Sequence, residues 1–418
     1  MEKAMKADWG QTVLKTTKKN TRDISDPIIK ELWKRFEEEE SDIIKFEYCS
    51  QLIIKDPTDY FAYLRSGDAL HKLKQNNEAE KKYLKSLELS NRKCIEVLNN
   101  YGIFQTHLKN YDNAINLYDE GLKIACTDID LLSNKGNTLQ SLEKYEEAIV
   151  CYDKALEIDP KHAMALNNKG NTLQSLEKYE EAIVCYDKVL EINPKYAAPL
   201  NNKGNTLQNL KKYEEAIVCY DKALVIEPNN DYALSNKGLA LSNLGKYEES
   251  IVCYDKALEI NVDDVDTLDN KANTLQSLER YEEAIVCYDK ALEIEPRYAM
   301  ALSNKGLALN HLKKYAQAIV CLDKMLEIEP KDDVTLNNKG SVLDNLKKYE
   351  EAIVCYDKAL EINPKYTMAL NNKANTLQSL EKYEEAIVCY DKALAIDPNH
   401  KDSIKDRQLA VDSLKLTK

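Results

Sequence analysis

Chain breakers are scarce in this chain of 418 residues, which contains 11 glycines and 10 prolines. Because glycine and proline punctuate strand-and-turn folds, so few of them over this length favour helices. No apolar run is long enough to cross a bilayer, and the N-terminal residues contain no apolar core of signal-peptide length. We therefore expect a helical protein located in the cytoplasm.

Catalytic and metal-binding motifs are also missing. The sequence contains no GxGxxG, GxxxxGK[ST], HExxH or GxSxG pattern, and it has no CxxC pair. Its five histidines are scattered, whereas an enzyme needs one constellation of unlike groups. The sequence therefore predicts a protein that is not an enzyme and that has no cofactor and no metal ion.

Positive charge is outnumbered by negative charge, and the formal net charge is -13. An acidic surface repels phosphate backbones and anionic lipid headgroups, so we expect neither nucleic acid nor membrane as a partner. Eight of the 11 cysteines follow one another at intervals of 34 residues, from Cys151 to Cys389. Equivalent atoms in stacked helical layers lie about 10 Å apart, which is too far for a disulfide. These cysteines are interpreted as small apolar residues in a reducing compartment.

The sequence repeats itself with a period of 34 residues, and one clear copy reads AMALNNKGNTLQSLEKYEEAIVCYDKVLEINPKY. Positions 1 to 34 below are counted along this copy, which begins at Ala163. Strong copies begin at Ile129, Ala163, Ala197, Asp231, Val265, Ala299, Asp333 and Thr367, looser ones begin at Ile95 and Tyr60, and the weakest begins near Asp26.

Each copy predicts two amphipathic helices. Leu166, Leu173 and Leu176 recur at helical spacing in the first helix, and Gly170 among them allows a neighbouring helix to approach closely. Pro194 follows the second helix and is expected to stop it. Because neither helix can bury its apolar stripe alone, the pairs must stack into one continuous core.

Residue types and spacing together resemble the tetratricopeptide repeat. The residues that carry the resemblance are Leu166, Gly170, Leu173, Tyr179, Ala182, Tyr186, Val189 and Pro194. The resemblance implies an all-α, tetratricopeptide-type α-solenoid, a right-handed superhelix of antiparallel helix pairs. It also implies a protein–protein interaction scaffold whose first helices line a concave groove.

The repeat pattern predicts the organisation of the chain. Residues 1–25 lack periodicity and are expected to be disordered or a short basic arm. Residues 26–94 form divergent units 26–59 and 60–94, and residues 401–418 form a C-terminal solvating helix. Nine units lie between them, at 95–128, 129–162, 163–196, 197–230, 231–264, 265–298, 299–332, 333–366 and 367–400.

Asparagine recurs at positions that the resemblance places in the groove, and an amide offers both a donor and an acceptor to an extended peptide backbone. Position 6 is Asn100, Asn134, Asn168, Asn202, Asn236, Asn270, Asn304, Asn338 and Asn372, and position 9 is Asn137, Asn171, Asn205, Asn273 and Asn375. A similar asparagine ladder occurs in the repeat domain of O-linked N-acetylglucosamine transferases, although no transferase domain follows here. We expect these asparagines to bind extended peptide segments of partner proteins.

Several alternatives stay open at this stage. The asparagines could satisfy groups between helices or merely solvate the groove. The near-identical copies could form a structural, self-associating array, although the irregular first unit and the charged tail favour a monomer. The carboxylate-clamp mode of the family is not expected, because the strong copies lack its cations. A regulatory repeat module like that of the transferases is a further interpretation.

Two further periodic features are informative. Lysine recurs at position 7, from Lys135 to Lys373, and aspartate recurs at position 25, from Asp119 to Asp391. This pairing predicts a Lys–Asp ladder between helices. Methionine at position 2 and tyrosine at position 34 could bind apolar partners or pack between layers; they are Met164, Met300, Met368, Tyr196, Tyr298 and Tyr366.

Overall fold

Twenty-three α-helices and no strands make up residues 26–417, which are the residues described by the computed structural model. The prediction for residues 1–25 lies outside this range. The helices are α1 (Pro27–Glu38), α2 (Asp42–Lys55), α3 (Tyr60–Lys72), α4 (Asn76–Leu89), α5 (Ile95–His107), α6 (Tyr111–Ile124), α7 (Ile129–Ser141), α8 (Tyr145–Ile158), α9 (Ala163–Ser175), α10 (Tyr179–Ile192), α11 (Ala197–Asn209), α12 (Tyr213–Ile226), α13 (Asp231–Asn243), α14 (Tyr247–Ile260), α15 (Val265–Ser277), α16 (Tyr281–Ile294), α17 (Ala299–His311), α18 (Tyr315–Ile328), α19 (Asp333–Asn345), α20 (Tyr349–Ile362), α21 (Thr367–Ser379), α22 (Tyr383–Ile396) and α23 (Lys401–Thr417).

The helices belong to two compact halves, which divide between Ile226 and Glu227. Within each half, every odd-numbered helix packs against the even-numbered helix that follows it, and each pair packs against the next. Odd-numbered helices of successive pairs also contact one another. The odd-numbered, or first, helices therefore form one layer and the even-numbered, or second, helices form the other. This is the predicted tetratricopeptide-type α-solenoid architecture.

The core of each pair depends on a close contact between its two helices. The ring of Tyr186 (position 24) lies against Gly170 (position 8), and a Cβ atom on this glycine would come within 2.6 Å of the ring. Tyr186 is completely buried. The predicted close approach at Gly170 is confirmed, and its cause is the aromatic ring of the second helix. Two copies tolerate alanine at position 8, as Ala272 and Ala374, which are fully buried.

The second helices end without any requirement for proline. Helix α10 ends at Ile192, two residues before Pro194, and α14 ends at the equivalent Ile260 although Val262 replaces the proline. The residue after each helix adopts the same backbone conformation, with φ -135° at Asn193 and φ -132° at Asn261. The expectation that proline stops these helices is therefore incomplete, since the C-terminal geometry is the same without it.

The Lys–Asp ladder is confirmed. Each pair joins Asp at position 25 of one second helix to Lys at position 7 of the next first helix, and the lysine stems are mostly buried. Measured Nζ–Oδ1 distances are 2.5 to 2.6 Å in the pairs Lys135–Asp119, Lys169–Asp153, Lys203–Asp187, Lys271–Asp255, Lys339–Asp323 and Lys373–Asp357. Lys305 pairs with Asp289 in the same way. The carboxylates are half exposed, so each pair contributes at most about 1 kcal/mol to stability.

The C-terminal helix α23 continues the packing pattern of the repeats. Arg407 bonds Asp391 in the place that lysine occupies in the other pairs. The hydroxyl of the buried Ser403 donates to Asn371 Oδ1 at 2.9 Å. Most of the remaining described α23 side chains are exposed or half-buried. A polar outer surface is what a terminal layer needs to shield the last repeat from water.

The turns within the pairs contain strained residues. Helix α9 is followed by Glu177 at φ 59°, whose N–H donates to Gln174 O, while Lys178 N–H donates to Leu173 O. These two bonds define a Schellman motif, in which glycine is the preferred residue at the left-handed position. Glycine occupies this position as Gly245, while lysine or glutamate occupies it in nine other copies: Lys74, Lys109, Glu143, Glu177, Lys211, Glu279, Lys313, Lys347 and Glu381.

Relieving this strain should stabilise the protein. The triple variant Glu143→Gly, Glu177→Gly and Lys211→Gly is expected to raise the free energy of unfolding by about 0.5–1 kcal/mol per site, because glycine tolerates positive φ. Urea denaturation followed by circular dichroism measures the change. The control Gly245→Glu should lower stability by a similar amount. A triple variant less stable than the parent would contradict the argument.

Candidate functional site

The position-9 asparagines are held by the tyrosine hydroxyls of their own repeats. Tyr186 Oη donates to Asn171 Oδ1 at 2.8 Å, and the same tyrosine ring packs on Gly170. Burial raises the pKa of the equivalent Tyr152, so this hydroxyl stays protonated and acts as a donor. The same bond joins Tyr152 to Asn137, Tyr220 to Asn205, Tyr288 to Asn273 and Tyr390 to Asn375.

The position-6 asparagines are held in turn by the preceding repeat. Asn202 Nδ2 donates to Asn171 Oδ1 at 2.9 Å, so Asn171 accepts both this amide and the hydroxyl of Tyr186. The donating amides bond Asn168 to Asn137 at 2.8 Å, Asn304 to Asn273 at 3.0 Å, Asn134 to Asn99 at 2.9 Å, Asn372 to Asn337 at 3.0 Å and Asn100 to Asp68 at 3.3 Å. We call the position-6 and position-9 asparagines together the amide ladder.

Three asparagines of the ladder have different surroundings. The repeats before Asn270 and Asn338 have Leu239 and Leu307 at position 9, so neither can donate to an asparagine there. The buried Nδ2 of Asn236 has no hydrogen-bond partner among the described residues. The connected part of the ladder that is richest in inter-repeat bonds is therefore Asn134 to Asn202, on helices α7, α9 and α11.

The inter-repeat bonds leave one half of each amide for other partners. They use Nδ2 at position 6 as the donor, and the acceptor is an oxygen at position 9 or at position 5 of the preceding repeat. Two of the remaining atoms are bonded within their own repeat, since Asn168 Oδ1 accepts from Asn167 at 3.4 Å and Asn273 Nδ2 donates to Asp269 at 2.9 Å. Asn134, Asn137, Asn168 and Asn171 are all half-buried, which leaves them accessible from the first-helix layer. A series of oriented amides is complementary to an extended peptide backbone, because each amide contains both a donor and an acceptor.

An ionic cluster replaces the ladder near its N-terminal end. Arg65 and Asp68 occupy positions 6 and 9 of the copy that begins at Tyr60. Arg65 is buried and bonds Asp68 Oδ2 at 2.8 Å and also Glu96, while Tyr83 Oη donates to Asp68 Oδ1 at 2.8 Å. Burial raises the pKa of Glu96 even though Arg65 opposes the shift. The tyrosine-to-position-9 bond is therefore retained with aspartate in place of asparagine.

The methionines and tyrosines at the repeat boundaries behave differently from each other. Met300 and Met368 expose more than half of their surface, at 57% and 55%. Tyr298 and Tyr366 are partly buried and pack against core residues of the neighbouring repeats. The exposed methionines are thus available to an apolar partner, whereas the tyrosines pack between layers.

A histidine pair brings together two residues that the sequence analysis treated as scattered. His71 Nε2 and His107 Nδ1 lie 2.9 Å apart, on the neighbouring first helices α3 and α5. The residues occupy position 12 of one copy and position 13 of the next, so their spacing of 36 residues hides the contact from a search at the repeat period. Both residues lie near the C-terminal ends of first helices that belong to successive pairs, which is the signal that could have revealed the contact.

Residues 26–417, which the structure describes, were searched for membrane-spanning helices, metal-binding clusters and disulfides. None of their helices combines the length and apolar character needed to cross a membrane. They contain no group of three or more His, Cys, Asp or Glu side chains arranged to hold a metal ion. All eleven cysteines lie within this range, and none of them forms a disulfide there.

Several solved structures are similar to this chain. YrrB, described as a tetratricopeptide repeat protein with an unusual peptide-binding site, is 27% identical over 44% of this chain and 95% of its own, with a TM-score of 0.37. A chain of the APC/C hetero-tetramer Cut9–Hcn1 is 15% identical over 88% of this chain and 86% of its own, with a TM-score of 0.49. A tetratricopeptide repeat protein from Parabacteroides merdae is 20% identical over 60% of this chain and 98% of its own, with a TM-score of 0.47. No curated protein matches the chain.

Family profiles identify the repeats directly. One profile of the tetratricopeptide repeat matches residues 129–162, 163–196, 197–230, 232–264, 270–298, 299–332, 334–366 and 368–400. A second profile of the same repeat matches residues 62–93. These matches span more than half of the chain, which therefore belongs to the tetratricopeptide repeat family. Repeats of this kind generally form non-catalytic scaffolds that bind other proteins.

The hydroxyl-to-amide bond can be tested with a matched pair of variants. Tyr186→Phe should lower the free energy of unfolding by about 1 kcal/mol, because it removes a buried hydrogen bond to Asn171. Tyr254→Phe should lower the free energy of unfolding by less than this, or should raise it. The reason is that Leu239 replaces the asparagine, so Tyr254 lacks the amide acceptor. Urea denaturation of both variants makes the comparison, and equal losses would contradict the role of the bond.

Proposed function

We propose that this chain is a non-catalytic scaffold that binds extended peptide segments of partner proteins along the amide ladder. The supporting observation is the bonding of the ladder itself. Asn168 and Asn202 donate to the preceding repeat, so their orientation is fixed before a guest arrives. Preorganised groups lose less conformational entropy on binding than mobile ones, which favours recognition by these amides.

Neutralisation of the cations supports backbone recognition over an electrostatic clamp. The first-helix lysines are paired with aspartates, and Arg65 is paired with Asp68 and Glu96. A carboxylate clamp needs cations that are available to the guest, whereas Arg65 and the lysines of the Lys–Asp ladder already have carboxylate partners. Peptide affinity should therefore change little between low and physiological salt.

We also propose that the protein is cytoplasmic and monomeric. Eleven free thiols fit a reducing compartment, which supports the cytoplasm as the location. Burial raises the pKa of Cys185 and of its equivalents, so they are poor nucleophiles and act as packing residues. A charged terminal helix supports a monomer over an open array of copies.

The ladder can be tested with a peptide selected from a random library on the intact chain. The triple variant Asn134→Ala, Asn168→Ala and Asn202→Ala should bind this peptide at least tenfold more weakly, because three oriented hydrogen-bonding side chains are lost. Fluorescence anisotropy measures the affinity. Replacing single peptide N–H groups by N-methyl groups should weaken binding at the positions that face the ladder.

A matched control uses three exposed asparagines in the turns that follow second helices, Asn193, Asn229 and Asn399. Their combined replacement by alanine should leave peptide affinity unchanged. Circular dichroism establishes that both triple variants fold. Unchanged affinity in the folded ladder variant, or equal weakening in the control, would contradict the proposal.

A further inference from the structure

The histidine pair has a defined arrangement of protons. Asn76 Oδ1 lies 3.1 Å from His71 Nδ1, and because an amide oxygen only accepts, this ring nitrogen carries the proton. The other ring nitrogen, Nε2, is then the accepting nitrogen of His71. It faces His107 Nδ1 at 2.9 Å, so His107 donates across the gap. One proton therefore occupies a space between two ring nitrogens that belong to different repeats.

Ring contacts with neighbouring side chains hold this pair in place. The edge of the His71 ring meets Phe104 with ring centroids 5.0 Å apart, and the two imidazoles have centroids 5.2 Å apart. The unprotonated nitrogen of an imidazole is the atom that binds metal ions.

The separation of the two nitrogens suits a metal ion in place of the proton. With metal–nitrogen bonds of about 2.0–2.1 Å, two nitrogens lie about 2.9 Å apart at cis positions and about 3.3 Å apart in a tetrahedron. The observed 2.9 Å matches the cis arrangement. Imidazole is a preferred ligand of nickel, copper and zinc. When His107 changes tautomer, its proton moves to Nε2, so coordination by Nδ1 requires no net loss of protons.

We propose that His71 and His107 together bind a divalent transition-metal ion of the nickel, copper and zinc group. His71 coordinates through Nε2 and His107 through Nδ1. Asn76 accepts from His71 Nδ1–H, which fixes the ring and increases its basicity as a ligand. Water or a side chain of a bound partner completes the coordination. The ion would thus link the first helices of two successive repeats.

Isothermal titration of the full chain with Ni²⁺ at pH 7.5, repeated with Zn²⁺, tests the site. A background with Cys94→Ser and Cys126→Ser removes the two cysteines that are not buried. One saturable site is expected for Ni²⁺. His71→Ala and His107→Ala should each weaken it at least tenfold, and Asn76→Ala should weaken it about tenfold through the lost second-shell bond.

His311→Ala is the matched control, because His311 occupies position 13 of its repeat but stacks on Tyr281 at 4.7 Å. It should bind Ni²⁺ like the parent. Circular dichroism of every variant separates a lost ligand from a lost fold. No saturable binding to the parent, or affinity retained by both folded histidine variants, would overturn the proposal.

Discussion

The packing of the position-24 side chain on the small residue at position 8, most often tyrosine on glycine, is the contact on which the other features of the strong repeats depend. It brings the two helices of a pair close together and buries a phenol whose hydroxyl must find an acceptor. Asn171 supplies that acceptor for Tyr186 and also accepts from Asn202 in the next repeat. The packing of Tyr186 within one repeat thereby fixes the orientation of the Asn202 side chain in the next repeat.

This connection shows what each departure from the pattern removes. In the copy that begins at Ala299, leucine replaces both the tyrosine and the asparagine, as Leu322 and Leu307, so the removal of the donor coincides with the removal of its acceptor. Leu322 still packs on Gly306. In the copy that begins at Asp231 only the asparagine is replaced, and Tyr254 retains a buried hydroxyl without its amide acceptor. The repeats thus share one packing geometry but differ in the hydrogen-bonding residues at positions 9 and 24.

The sequence was sufficient to predict the helix pairs and the Lys–Asp ladder, because both follow from residue types at a fixed period. It did not predict how the asparagines bond, since an amide can serve a neighbouring repeat and a guest equally well until the rotation between repeats is known. The contact between His71 and His107 was missed because it joins unlike positions of successive repeats. Contacts set by that rotation cannot be deduced from the repeat period alone.

Tyr186, Asn171 and Asn202 act as one unit that links successive repeats. A double-mutant cycle with Tyr186→Phe and Asn202→Ala, followed by urea denaturation, measures the coupling between the two outer members. Neighbours that share a partner are expected to show an interaction free energy of at least about 0.5 kcal/mol. Strict additivity of the two changes would show that the hydroxyl and the amide are independent, and would contradict the account.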